Sequence, residues 1–332
     1  MPSPSRTNLR LLIGFIVSAA AIYLSIRKVD FSALWTSLQS ANYFFLIPAV
    51  ASQCSCFVFK GAGWRYLLLP AKKAVRLSSA TSVLIIGLMV NDFFPAKMGE
   101  LARAYLMGER ENLSKSLCLS TILVEHLLDV LVLMTFLLIL LPFVAIPSWL
   151  RTGGTLVGFL ALVMIGFLFF MMRREEKFLN WMDRLLIHFP GRFRKKAQGI
   201  LRDVVQGLRV VTGRYVFYAF AAILGMWLLV FLVAYLIMVA FGLFLPLHAS
   251  VMVTIFTAFG KILPSSPGGI GTFHYLVIVV LMAFGVGKET ALGYAIVLHG
   301  FGFLVEVSLG IALLFSGNLS LGRIARRTEE AP

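Results

Sequence analysis

The chain has 332 residues, 59% of them hydrophobic and 14% charged. Apolar runs of membrane-helix length recur along it, which excludes an ordinary soluble domain and leaves little room for a separate one. The net charge of +15 would point to nucleic acid in a soluble protein. Here it fits cytoplasmic loops that gather Lys and Arg beside anionic headgroups, and no nucleic-acid partner is expected.

Arg6 and Arg10 precede a first apolar run ending at Ile26. Ser18 and the alanines after it would suit a signal-peptide cleavage site, but the run continues too far, so an uncleaved first span over 9–26 is expected. Residues 27–42 carry few charges and read as a loop. Span two covers 43–60, followed by a basic loop, 61–78, with Arg65, Lys72, Lys73 and Arg76. The apolar stretch 79–94 ends in Asn91 and Asp92, and 95–116 is of mixed charge. A long span over 117–141 carries Glu125, His126 and Asp129, and another covers 153–172. The largest polar region, 173–214, holds eleven Lys and Arg against four acids. Its apolar residues recur at helical spacing, which predicts amphipathic helices on the cytoplasmic interface. A span over 216–241, a half-length run 250–263, a Pro/Gly break, a second run 270–286 and a final span 291–316 complete the chain.

Charge bias arranges these pieces. If every apolar run crossed the membrane and 173–214 were cytoplasmic, the basic N-terminus and the 61–78 loop would lie outside. Letting 79–115 enter from the cytoplasm and return corrects both. Letting 250–285 enter from outside and return brings Arg323, Arg326 and Arg327 inside. The expected fold is therefore all-α: a polytopic helical membrane protein of about six full spans plus two re-entrant broken-helix hairpins, about eight transmembrane helices in all. The whole of 1–332 forms one membrane domain, with inverted repeats over 43–141 and 216–316. Both termini would be cytoplasmic, in a bacterial inner membrane. Secondary transporters use this plan, with broken helices meeting near the midplane.

Two polar interruptions carry the chemistry. The first contains Asn91, Asp92, Pro95, Lys97, Gly99, Glu100 and Arg103; the second contains Lys261, Pro264, Pro267, Gly268, Gly269 and Gly271. Lys97, Arg103 and Lys261 suit a phosphate, aided by free backbone donors at helix N-termini after each break. The glycines allow close backbone approach. Glu125 and Asp129 share a helix face with Thr121 and Cys118. His299, Gly302, Glu306 and Gly310 form a similar stripe in the last span. Ionisable groups in spans usually face a cavity or a partner. These could bind a proton or an amine, or form buried ion pairs such as Glu125 with Arg103 or Glu306 with Lys261. Gly302 and Gly310 taken alone read as close helix packing. Cys54, Cys56 and Cys118 read as packing residues. The five histidines lack metal-ligand spacing, and no P-loop, GxGxxG or GxSxG is present, so no metal, cofactor or catalytic residues are expected.

The run from Asn91 through Pro95-Ala-Lys-Met-Gly99-Glu100-Leu-Ala-Arg103 resembles the first signature of the flippase-like transmembrane domain of lysylphosphatidylglycerol synthases. Pro264-Ser-Ser-Pro267-Gly268-Gly269-Ile-Gly271-Thr-Phe resembles its second. The resemblance extends over roughly 9–316. It implies movement of a lipid between leaflets rather than lipid synthesis, since the sequence ends at Pro332 with no soluble synthase domain. Lys97 stands where relatives often have Arg, and His274 where an acid often follows. Both departures touch headgroup positions, so the lipid is left open among anionic or aminoacylated phospholipids and glycolipids. A homo-oligomer or a separate synthase would be the protein partner. The rival readings are an intramembrane enzyme using Glu125 or His299 as acid or base, and a non-transporting anchor for a separate synthase.

Overall fold

The computed structural model describes residues 4–94, 97–144, 147–173, 178, 180–182, 184, 213–260 and 267–316. Among these, every regular element is helical. We number them α1 (Pro4–Ile26), α2 (Phe31–Ser40), α3 (Leu46–Leu68), α4 (Leu77–Phe93), α5 (Met98–Glu111), α6 (Lys115–Leu140), α7 (Ser148–Arg173), α8 (Arg214–Ala240), α9 (Leu247–Gly260), α10 (Thr272–Ala283) and α11 (Lys288–Ser316). Four segments are long and apolar enough to cross a membrane: Tyr43–Leu68, Lys115–Phe143, Arg214–Ala240 and Lys288–Ser316. Shorter apolar helices accompany them. The chain is thus a polytopic, all-helical membrane protein.

The boundaries differ from the sequence expectation in three places. The supposed loop 27–42 contains α2, whose start is set by Asp30: its carboxylate accepts from the Ser32 and Ala33 amides, the usual N-cap arrangement. Span two does not stop at Lys60. It runs on to Leu68, with Gly61, Gly63 and Trp64 buried against neighbours, so the first part of the basic loop, including Arg65, is helix. The last span begins at Lys288. That residue's ammonium caps the open end of α1 by donating to the Leu24 and Arg27 carbonyls, at 2.9 and 2.6 Å. Of 173–214, only a few positions lie within the described residues. Among them Phe178 is buried against a cluster from α3, α6 and α8.

Two stretches share one order of elements. Long α3 is followed by short α4 and α5 and long α6; long α8 is followed by short α9 and α10 and long α11. The 14 residues of α9 rise only about 21 Å and the 12 of α10 about 18 Å, against an apolar core of about 30 Å. Within each stretch, neighbouring helices pack in sequence order, and α3 packs along α8 to join the two. Small residues make that seam close. A Cβ on Gly63 would lie 3.0 Å from Ile223, and one on Gly225 would lie 2.7 Å from Phe59. Ser52 donates to the Leu229 carbonyl across it.

Each break has its own physical device. At the first, Lys97 adopts left-handed backbone (φ 54°) ahead of α5. The Asn91 side chain accepts from the Gly99 amide at 2.8 Å. α4 and α5 then approach so closely that a Cβ on Gly99 would collide with the Gly87 carbonyl oxygen. At the second, Gly268, Gly269 and Gly271 all have positive φ (69°, 69° and 95°), a conformation other residues rarely adopt. A Cβ on Gly271 would lie 2.6 Å from the Ser18 carbonyl oxygen, so this break is threaded against the backbone of α1.

These contacts separate glycines that packing requires from those it does not. Gly99→Ala should destabilise the protein by about 3 kcal/mol, because its new methyl group meets backbone that cannot rotate away. Gly153→Ala, whose added Cβ meets nothing within 4 Å, should leave stability unchanged or slightly raised. Thermal denaturation of both variants in one detergent checks this.

Candidate functional site

The first break and α6 build a buried ion cluster. Arg103 on α5 places one guanidinium nitrogen 2.6 Å from Glu125 on α6 and another 3.1 Å from Glu100, one turn back on its own helix. Lys60 on α3 lies 2.7 Å from Asp129 and 3.2 Å from Glu125. His126 bridges the open edge, 3.3 Å from Glu100 and 3.6 Å from Asp129. The Trp227 indole donates to Asp129 at 2.9 Å, and Asn91 donates to Glu100 at 3.3 Å. The Arg103 guanidinium also lies over the Trp64 ring, 4.3 Å from its centre, a cation–π contact strengthened by desolvation. Trp64 is held in place by its own donation to Thr121.

The cluster is nearly dry. Side-chain exposure is 0% for Glu125 and 1% for Arg103, and reaches only 37% at His126. Three carboxylates stand against one lysine, one arginine and one imidazole. Moving a lone charge out of water costs several kcal/mol, so the fully buried Glu125 and Arg103 persist only because their partners are present. Among the described residues of the cluster, the His126 side chain is the most exposed.

The second break lies against the first. The Asp92 carbonyl oxygen sits 3.9 Å from the Cβ position of Gly268, and the Phe93 and Phe303 rings meet edge-on between α4 and α11. Beyond it, the His274 and His299 rings stand 5.0 Å apart, with Phe273 4.8 Å from His299. The α10 helix starts at Gly271 without a side-chain cap, so its first amides have no partner in the helix. Asn91 and Asp92 are therefore the junction: one contacts the ion cluster and the other the second break.

The expected residues are distributed as follows. Asn91, Gly99, Glu100, Arg103, Glu125 and Asp129 converge. His274 and His299 pair, and Gly268, Gly269 and Gly271 shape the second break. Glu306 lies on α11, two turns beyond His299. Pro95, Lys261 and Pro264 fall outside the described residues, and of Pro267 only the turn position is described. Lys97 is exposed. Two expectations are corrected. At the first helix N-terminus the Gly99 amide is not a free donor, because Asn91 already accepts from it. Gly302 is not a close-packing glycine, since its Cβ direction is open; Gly310 is one, with Met89 Sδ 2.6 Å from the Cβ position. The three cysteines are free thiols.

The lysylphosphatidylglycerol synthase TM region is the family model that matches, over residues 11–310. The chain belongs to this family. Relatives include UPF0104 membrane proteins of Methanocaldococcus jannaschii (21% identical over 313 residues, 86% of this chain and 88% of the relative) and Methanothermobacter thermautotrophicus (21% over 305 residues, with the same coverage). The protein named glycosyltransferase AglD of Haloferax volcanii is 22% identical over 359 residues, covering 96% of this chain but 56% of that protein. No solved structure matches the chain.

Within this lysylphosphatidylglycerol synthase TM family member, sequence reading missed Lys60 and His126 as site residues. Lys60 looked like the end of a span. The available signal was the uncharged Gly61–Trp64 stretch beyond it, which places the lysine well inside a longer helix. His126 looked isolated, although it lies three residues before Asp129 and so on the same face.

Removing one partner should expose the cost of a buried charge. Glu125→Gln should lower stability by about 3–5 kcal/mol, whereas Glu125→Leu combined with Arg103→Met should recover most of it. A double-mutant cycle by detergent denaturation measures the coupling. Equal stability of Glu125→Gln and the parent protein would contradict the ion-pair account.

Proposed function

We propose that the protein moves a phosphate-bearing lipid headgroup between leaflets while the acyl tails stay in the bilayer. The observation that carries this reading is the junction at Asn91 and Asp92, where a buried charge cluster and two helix breaks meet between short helices. Irregular backbone at membrane depth is tolerated where it is buried in protein or lines a cavity. Paired breaks are the arrangement by which secondary transporters assemble a site from two repeats. On this reading the two long-short-short-long stretches are inverted repeats, the short pairs are re-entrant, and both termini and the 173–214 region are cytoplasmic. The headgroup phosphate first meets exposed Lys97. Its amine, or a proton in its place, exchanges at the His126–Glu100 edge. Arg103 and Lys60 hold the carboxylates in position. The second half of the path runs along His274, His299 and Glu306, beside the open face at Gly302. The protein acts as a transporter rather than an enzyme, on an anionic or aminoacylated phospholipid or a glycolipid.

A second reading, a membrane anchor for a separate lipid-modifying synthase, draws support from the Haloferax volcanii relative. That protein is named a glycosyltransferase, and this chain spans 56% of it.

Reconstitution separates the two. Headgroup-labelled phosphatidylglycerol in proteoliposomes should lose its outer-leaflet restriction with the parent protein. His126→Gln and Glu306→Gln should slow that exchange at least tenfold while melting normally, since both side chains lie at partly open positions. Exchange no faster than in protein-free vesicles would remove the transport reading and leave the anchor. Topology supplies an independent check. Single cysteines at Gly287, Lys73 and Arg326, in a background lacking Cys54, Cys56 and Cys118, should label from outside intact cells only at Gly287. Outside labelling at Lys73 or Arg326 would show that a hairpin crosses fully.

A further inference from the structure

At the opposite end of α4 from Asn91, where α4 begins and α5 ends, a cavity of about 510 Å³ opens to the surface. Its lining includes Lys72, Arg76 and Arg110, the Ser78 and Ser79 positions, and Glu111. We propose that this cavity binds a phosphate-bearing anion, as a site distinct from the ion cluster.

Glu111, the acid among its described lining residues, is already committed. Glu111 is 7% exposed, and the Lys72 ammonium donates to both its carbonyl and its carboxylate at 2.8 Å. Burial pushes the Glu111 carboxyl up, but hydrogen bonds from Lys72 and Ser79 outweigh this and hold it below its ordinary range. Glu111 therefore stays ionised and fixes Lys72 as a rigid floor. Arg76 and Arg110 are exposed, and neither belongs to an ion pair among the described residues. Two guanidinium groups and Lys72 thus line the cavity against one carboxylate, which Lys72 already pairs and Arg76 also attracts, leaving an excess of positive charge. The planar guanidinium forks match phosphate oxygens in a bidentate way. The 17-residue α4 helix adds to this: Arg76 at its N-cap makes no side-chain capping bond, so the first-turn amides at residues 77–79 have no helical acceptor and favour an anion. The volume falls in the range of small-ligand sites.

A phosphate group is available from two sources, the headgroup of an anionic lipid or a soluble phosphate. The site lies at the base of the α4–α5 hairpin, and either ligand would tie the start of α4 to the end of α5. The inference does not depend on the translocation reading, and its failure would leave that reading intact.

The test uses the full-length purified protein. Native mass spectrometry counts retained phosphatidylglycerol against phosphatidylcholine, and equilibrium dialysis measures binding of inorganic phosphate. Arg76→Gln combined with Arg110→Gln should reduce binding of the preferred probe at least tenfold. Melting should be unchanged, because the Lys72–Glu111 bridge is retained. Lys73→Gln, outside the lining, should leave binding as in the parent. Loss of phosphatidylglycerol retention assigns the site to lipid; loss of phosphate binding assigns it to a soluble anion. The inference is overturned if the double variant binds both probes like the parent, or if the parent binds neither above the phosphatidylcholine level.

Discussion

Six ionisable side chains share one nearly dry space between α3, α5 and α6, and the rest of the hairpin is arranged around keeping them paired. Glu125, with no exposed surface, is held by Arg103 on one side and Lys60 on the other. Neither cation could sit at that depth alone, because water is not there to solvate it. The constraint reaches outward from the charges. Arg103 arrives at Glu125 only because Gly87 leaves room for its side chain as α4 and α5 approach. Lys60 is positioned by a helix whose other face is sealed against α8 by Gly63 and Ser52.

The same economy joins polar chemistry to chain reversal. Asn91 uses its carbonyl oxygen to cap Gly99 and its amide to reach Glu100. It thereby closes the first break and orients a cluster member at once. Its neighbour Asp92 brings backbone to the second break, where three positive-φ glycines let the chain pass between α1 and α4. A substitution at either break therefore acts on both the local turn and the charges behind it.

The two ends of α4 contrast in accessibility. At its C-terminal end, cations and carboxylates neutralise one another away from water. At its N-terminal end, Lys72, Arg76 and Arg110 outnumber Glu111 around an open cavity. Buried charge fixes structure there because it cannot be left alone. Exposed charge in excess is free to recruit a partner.

Much of this was legible in the order of residues. Run lengths and composition identified a helical membrane protein, because spanning hydrocarbon demands long apolar helices whatever their neighbours. Polar and glycine-rich interruptions marked both breaks, since only particular residues satisfy backbone there. The four-residue spacing of Glu125 and Asp129 put them on one face. The Glu125–Arg103 pair was already one of the alternatives the sequence offered, but only packing decides between that pair and a cavity-facing carboxylate. Nor could local pattern show that Lys60 belongs to the same cluster, 65 positions from Glu125 in sequence, or that Gly302 faces open space while Gly310 packs on Met89. Such facts depend on which helices become neighbours. That is set by the summed fit of many small contacts, and no single stretch of the chain contains it.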